Sequence, residues 1–320
     1  MDWTDRHCRF FHRTLSQHAL LYTEMVTAPA LVRGKATYLL DHDPREHPVA
    51  LQLGGSEPSE LARAAQMGWD AGYREINLNC GCPSDRVQSG SFGAILMKSP
   101  ALVAEACAAM RAACPAEITV KCRIGVDDQA PESVLPEFLE HIQQAGVGRV
   151  IIHARKAWLQ GLSPKDNREI PPLDYGLVLE MKRRYPDMHI SLNGGITSLD
   201  QARALLDQGL DGVMIGRAAY QRPGDLLLGA DVCIFGETAS ATEVQALARM
   251  RAYIAAELEK GTRLAAITRH MLGLFSGQPG ARLWRRILSE QGHRQGAGLD
   301  VLDAALAAVQ DAQADHSSVM

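Results

Sequence analysis

The sequence predicts an α/β fold, a parallel sheet covered by helices and followed by a small helical bundle. Three observations carry this. Over the first ~220 residues, short apolar β-branched runs alternate with amphipathic or Ala-rich segments, the pattern of strand–helix units. Beyond about residue 235 the strand-like runs stop and only helical patterns follow. Almost every strand-like run ends in a hydrogen-bonding or titratable residue, as expected where a barrel gathers its strand ends at one mouth.

Taken in order, the chain enters directly into a helix-like segment from Thr4 to Leu15. Strand runs fall at 20–26, 48–53, 74–79, 117–123, 149–153, 189–193 and 211–215, with helical patterns between them at 57–71, 99–113, 132–145, 174–184 and 198–208. Several helices have recognisable starts: Ser56 before Glu57 and Pro58, Ser99 before Pro100, and Ser198 before Leu199 and Asp200. A serine hydroxyl there can accept from the free N–H groups of the first turn, and proline loses nothing at the first helical position. Seven strands are one short of an eight-stranded barrel, so either a first strand lies upstream of Met1, encoded in frame, or the sheet is open. Helical patterns at 240–259, 263–274, 279–290 and 298–312 make the bundle. The expected units are 1–234, 235–312 and a disordered tail over 313–320.

Composition bounds the function. With 320 residues, 46% hydrophobic and 22% charged, this is an ordinary globular chain. A net charge of −4 requires any nucleic-acid partner to meet a local basic patch. Seven scattered cysteines, an odd number without a secretory leader, suggest reduced thiols in the cytoplasm. No apolar run is long enough to span a bilayer, and Cys80 and Cys82 lack the spacing and partner ligands of a zinc site, so neither membrane nor metal is expected.

The most informative segment is Asn77-Leu78-Asn79-Cys80-Gly81-Cys82-Pro83. It ends an alternating strand and breaks at Gly81 and Pro83, which exposes an amide and a thiol at the mouth. A thiol beside hydrogen-bonding amides is a plausible proton donor, against the plainer reading of a buried Cys82. The other strand ends are Gln52, Lys121 with Arg123, His153 with Arg155, Asn193-Gly194-Gly195, and Gly216-Arg217. The last two occupy the positions where barrels commonly bind phosphate, unless both are ordinary turns. Lys121 lies inside the apolar strand Ile118–Ile124, where an ammonium needs an anion, a carboxylate or an electron-rich ring. His153 can hold a cofactor oxygen or be a core histidine. The polar loop 154–172 is long enough to be functional or a solvated insertion. In the bundle, residues 262–294 carry Arg263, Arg269, Arg282, Arg285, Arg286 and Arg294 against Glu290. Arg282, Arg285 and Arg286 share a helix face, as phosphate-backbone binding requires, or as a solvated face allows.

Four segments together carry a family resemblance: Asn77 to Pro83, His153-Ala154-Arg155-Lys156-Ala157-Trp158, Asn167-Arg168-Glu169-Ile170-Pro171-Pro172-Leu173, and Gly277-Gln278-Pro279-Gly280-Ala281-Arg282. The chain resembles the tRNA-dihydrouridine synthases, and among them the A subfamily, over essentially its whole length. The resemblance implies a TIM-type (β/α)8 barrel, lacking its first strand here, that carries FMN over 1–234, and a tRNA-binding helical domain over 235–312. It implies reduction of uridine to 5,6-dihydrouridine in the tRNA D-loop, at positions 20 and 20a. NADPH would reduce FMN, hydride would pass to uracil C6, and Cys82 would deliver the proton to C5 from the opposite face. The implied FMN set is Met1, Asp2, Gln52, Lys121, His153, Asn193, Gly194, Gly195, Gly216 and Arg217. Asn79, Lys165, Arg168, Arg282 and Arg285 are the implied tRNA contacts, in a monomer. One departure stands out: the family's first strand ends in a Pro-Met-Met-Asp-like segment along the flavin, of which only Met1-Asp2-Trp3-Thr4-Asp5 remains.

Two alternatives compete. A barrel flavoprotein acting on a free pyrimidine would have no use for the arginine face at 282–286. A tRNA-binding protein with a truncated barrel and no catalysis would be colourless, without flavin.

Overall fold

The computed structural model describes residues 3–84 and 92–319. Met1 and Asp2, expected in the cofactor set, lie outside the described residues. Seven strands form one sheet: β1 Leu21–Thr27, β2 Val49–Gly54, β3 Glu75–Cys80, β4 Glu117–Arg123, β5 Arg149–His153, β6 His189–Asn193 and β7 Gly212–Met214. Each agrees with its expected range to within one residue at either end. All pairings are parallel and in sequence order, and the sheet curls into a half-barrel of TIM type. Among the described residues β1 and β7 do not pair with each other.

The helices that cover the sheet are α2 Ala28–Val32, α3 Pro58–Asp70, α4 Pro100–Ala113, α5 Pro131–Gln144, α6 Tyr175–Arg184 and α7 Leu199–Leu206, preceded by α1 Arg6–Leu15. The period-2 pattern of the central strands decides which face meets them. Ile76 and Leu78 of β3 and Val120 and Cys122 of β4 are fully buried in the apolar core beneath the helices. Their alternates, Glu75, Asn77, Asn79, Thr119 and Lys121, share the opposite, inner face. Parallel strands are usually apolar on both faces. Here the inner face is polar, which prepares it for a ligand. Helix and sheet lie close: a Cβ on Gly68 of α3 would sit 2.5 Å from Leu51 Cδ2.

Three start signals have different outcomes. Ser198 caps α7 by accepting from Gln201 N at 3.2 Å. Ser99 precedes α4 without a capping bond, and the cap of α3 is Glu57 rather than Ser56. Two further helices, α8 Arg217–Gln221 and α9 Pro223–Cys233, had no sequence expectation. The run Leu226-Leu227-Leu228 is apolar on every side and so shows no amphipathic period.

The C-terminal helices are α10 Glu243–Glu259, α11 Leu264–Thr268, α12 Ala281–Gln291 and α13 Leu299–Val319. The helix expected over 263–274 stops at Thr268, and turns follow to Gly280. The Met271 carbonyl there accepts from Leu274 N at 3.1 Å, a turn bond, and from the buried Trp284 indole at 2.9 Å. The tail expected to be disordered from 313 instead continues α13 to Val319, with Ser317 and Ser318 hydroxyls donating back to Gln313 and Ala314 carbonyls.

Helix α1 does not belong to the barrel core. Phe10, Phe11 and Leu15 pack with Leu247, Met250, Ile254, Trp284 and Leu302 in a second apolar core, so the expected boundary at residue 234 leaves out an N-terminal part of this unit. Ion pairs fix the arrangement. Arg6 meets Glu257 at 2.7 Å, and Asp5 takes Arg269 at 2.6 Å and His270 Nε2 at 3.0 Å. Burial works against charge on both carboxylates but is outweighed. Bonds from His270, Cys8 N and Arg269 hold Asp5 well below the usual carboxylate range, and those from Lys260, Arg6 and Thr262 bring Glu257 down to about 2. A depressed folded-state pKa stabilises above the unfolded value and loses that contribution as pH falls through the folded one. The chain should therefore lose thermal stability between about pH 4.5 and pH 2, and Glu257→Gln should flatten that acid branch of a melting-temperature profile.

Among the described residues no helix is long and apolar enough to cross a membrane.

Candidate active site at the barrel mouth

The inner faces of β2, β3 and β4 join in one hydrogen-bonded series. Thr119 Oγ1 donates to Glu75 Oε1 at 2.9 Å, and Asn77 Nδ2 donates to Thr119 Oγ1 at 2.9 Å. Gln52 Nε2 donates to Asn77 Oδ1 at 3.0 Å, and Asn79 Nδ2 to Gln52 Oε1 at 2.8 Å. Asn79 Oδ1 then accepts from the backbone N–H groups of Gly81 and Cys82, both at 3.0 Å. Asn79, expected among the tRNA contacts, therefore also shapes the turn that carries the thiol. Cys82 is half-buried, with its Sγ 3.4 Å from Ser84 Oγ. At the far end Tyr22 also donates to Glu75 Oε1, at 2.8 Å. Burial pushes the Glu75 carboxyl up, against the lowering effect of those two hydroxyls.

Arg123 holds the turn from the other side. Its guanidinium, 3% exposed, donates to Gly81 O at 3.1 Å, Lys156 O at 3.2 Å and Asn167 O at 2.9 Å. The first carbonyl belongs to the Cys82 turn, and the other two belong to the loop 154–172. That loop is further fastened by Asn167, fully buried, whose carboxamide accepts from Trp158 N at 2.7 Å and donates to Trp158 O at 2.8 Å. Neither role was foreseen. Arg123 offered one signal, a second cation in an apolar strand; Asn167 offered none beyond its place in a motif.

The rest of the mouth is strongly cationic. Lys121 has no ion pair among the described residues, and burial and Arg123 bring it down to about 8. Burial lowers Arg123 to about 10. His153, 8% exposed, is held far below its ordinary value by burial and by Arg123, Lys121, Arg155 and Arg217, so the ring is neutral. Among the described residues Arg155 Nε and Arg168 Nε are buried without a hydrogen-bond partner, while Arg155 Nη1 reaches Pro171 O. Arg217 pairs with Glu169 at 2.6 Å and donates to Arg168 O at 3.2 Å. Cations that depress one another, with orphaned guanidinium N–H groups, fit an anionic ligand. The phosphate of the FMN that the resemblance implies, and its ring once reduced, would meet that requirement.

The glycine pair after β6 completes the cradle. Asn193 Nδ2 donates to Met214 O at 2.8 Å, tying β6 to the end of β7. Gly194 has φ +114, and a Cβ there would meet His153 Cδ2 at 2.7 Å. Tyr175 OH donates to the Gly194 carbonyl. Gly194→Ala would strain the backbone by about 1–3 kcal/mol and displace His153. The expected result is purified protein with at least ten-fold weaker FMN binding than wild type, read by flavin fluorescence.

The structure gathers Gln52, Asn79, Cys82, Lys121, His153, Arg168, Asn193, Gly194, Gly195, Gly216 and Arg217 around this mouth or its rim. Arg168 and Arg217 interact with each other's charge, and Cys82 is close enough to Lys121, Arg123 and Arg168 to interact with theirs. Lys165 is exposed on the outside of the loop. Arg282, Arg285 and Arg286 lie on the exposed face of α12, while Trp284 and Leu288 are buried on the other. Arg282 and Arg285 line a surface hollow with Gly277, Gln278, Gly280 and Ala312. Among the described residues no group of three His, Cys, Asp or Glu side chains is placed to hold a metal ion.

Comparison with known proteins identifies the family. The sequence model of a family described as Dihydrouridine synthase (Dus) matches residues 1–313. A tRNA-dihydrouridine(20/20a) synthase of Shewanella oneidensis is 55% identical over 311 residues, 97% of this chain and 92% of that protein. The protein of the same name from Vibrio cholerae is 55% identical, covering 97% and 94%. That of Escherichia coli K12 is 55% identical over 313 residues, covering 97% and 90%.

Proposed function

This chain belongs to the dihydrouridine synthase family, and from that premise we propose how its residues divide the work. It reduces uridine in tRNA to 5,6-dihydrouridine, and D-loop positions 20 and 20a are its targets. The observation that carries the assignment of roles is the Cys82 turn, held between Asn79 and Arg123 at a cationic mouth.

FMN, reduced by NADPH, supplies the hydride when bound. Gln52, Lys121 and His153 would hold its flavin part, and Asn193, Gly194, Gly195, Gly216 and Arg217 would hold its phosphate. Neutral His153 accepts or donates one hydrogen bond without adding charge. Lys121 compensates negative charge that builds up at the mouth. Cys82 Sγ releases its proton to uracil C5, and the sulfur left behind faces Lys121, Arg123 and Arg168. The second N–H of Asn79 is available to a uracil carbonyl as enolate-like charge develops. The target base must leave its stack to reach this site. The barrel would hold the base while Lys165, Arg168 and the exposed arginines of α12 hold the backbone. We assign this work to a monomer in the cytoplasm.

The test is dihydrouridine formation mapped by nucleotide, on tRNA from a strain lacking its synthases, with FMN and NADPH supplied. Product at position 20 or 20a is expected; its absence with wild-type protein would refute the assignment. Arg282→Ala and Arg285→Ala should each weaken tRNA binding and reduce the salt dependence of log K by about one unit or slightly less, the contribution of one phosphate contact. An unchanged slope would remove α12 from the interface.

A further inference from the structure

The six hydrogen bonds that run between the floor of the half-barrel and its mouth all point the same way. The N–H groups of Gly81 and Cys82 donate to Asn79, Asn79 to Gln52, Gln52 to Asn77, Asn77 to Thr119, and Thr119 to Glu75. A backbone N–H can only donate, and a carboxylate oxygen can only accept. Each carboxamide between them could be turned over in isolation, since its two ends are alike in shape. In series they cannot, because the two ends agree for only one set of orientations. That set leaves one N–H of Gln52 and one N–H of Asn79 without a partner among the described residues, at the mouth.

We propose that Glu75, on the barrel floor, is a positioning residue: as the terminal acceptor of this series it fixes Gln52 with a free N–H turned to the ligand. The consequence for recognition is direct. Two amide N–H donors suit a ring that carries carbonyl oxygens, as both flavin and uracil do. A reversed Gln52 would present a carbonyl to those oxygens and repel them. Asn79 is held by the backbone of the Cys82 turn and engages the Gln52 oxygen, while the floor holds the other end of that carboxamide, its nitrogen, through Asn77 and Thr119. This inference rests on the functional reading above, because it takes Gln52 as a cofactor contact.

Two hydroxyls donate to the same Glu75 oxygen, and only one of them is in the series. Thr119→Val severs the series, whereas Tyr22→Phe removes the other donor and leaves it intact. Both are near-isosteric deletions of one buried hydroxyl, so a merely structural role would affect them alike. Thr119→Val should raise the FMN dissociation constant at least five-fold and lower kcat about ten-fold, with KM for tRNA within two-fold. Tyr22→Phe should stay within two-fold of wild type in all three. Glu75→Gln, which keeps an acceptor oxygen for Thr119, should also bind FMN within two-fold. Equal effects of Thr119→Val and Tyr22→Phe, or wild-type FMN affinity in Thr119→Val, would overturn the proposal. Wild-type protein that fails to bind FMN would instead sink the functional reading on which it rests.

Discussion

Replacing Cys82 with alanine should lower dihydrouridine formation by about 10²–10⁴-fold, the contribution of a positioned general acid, and leave FMN binding unchanged. The turn that presents the thiol is built without the sulfur. Asn79 grips the backbone N–H groups of residues 81 and 82, and Arg123 grips the Gly81 carbonyl. Alanine keeps all three bonds, so the variant should melt within a degree or two of wild type. The loss then measures proton delivery rather than folding. Single-turnover reduction of tRNA, starting from the reduced cofactor, is the appropriate readout because it isolates the step that uses the proton. A Cys82→Ala rate above about a tenth of wild type would put the proton source elsewhere.

The second large effect is expected at Arg123. Arg123→Met preserves much of the volume but leaves three carbonyls, on Gly81, Lys156 and Asn167, without their donor. At about 1–3 kcal/mol for each unsatisfied buried group, and with water recovering part of it, the net cost should be about 3 kcal/mol in urea unfolding. Arg123→Lys should not restore it, since one ammonium cannot span carbonyls that a planar fork reaches together. Activity should fall with stability in both variants, because the same side chain ties the thiol turn to the loop 154–172. An Arg123→Met protein with wild-type stability would show that the three carbonyls find other partners.

These two residues also show where a sequence is legible. Cys82 could be read because its neighbourhood is local: an alternating strand broken by Gly81 and Pro83 leaves Asn79 and the thiol at one end. The strands were readable for the same reason, since period-2 patterns in β3 and β6 need only adjacent residues. Arg123 was named beside Lys121, but its partners lie 42, 33 and 44 residues away, and no spacing rule connects them. The inner-face series is similar. Gln52, Asn77, Asn79 and Thr119 each looked polar in isolation, and only the register of three strands makes them neighbours. Helix α9 escaped notice for the opposite reason, because its central Leu226-Leu227-Leu228 run is continuously apolar and carries no period. The docking of α1 was hidden by distance, its partner Glu257 being 251 residues from Arg6.

That last separation has a consequence for how the chain is made. Phe10, Phe11 and Leu15 leave the ribosome more than two hundred residues ahead of Leu247, Trp284 and Leu302. At about 5–20 residues per second, the first helix waits on the order of 10–60 s for the surface that will cover it. Its apolar side is open to chaperones and to other nascent chains throughout that interval, while the strands between can already assemble. A chain cut short anywhere before α10 thus keeps an uncovered α1, by which it can be recognised as unfinished.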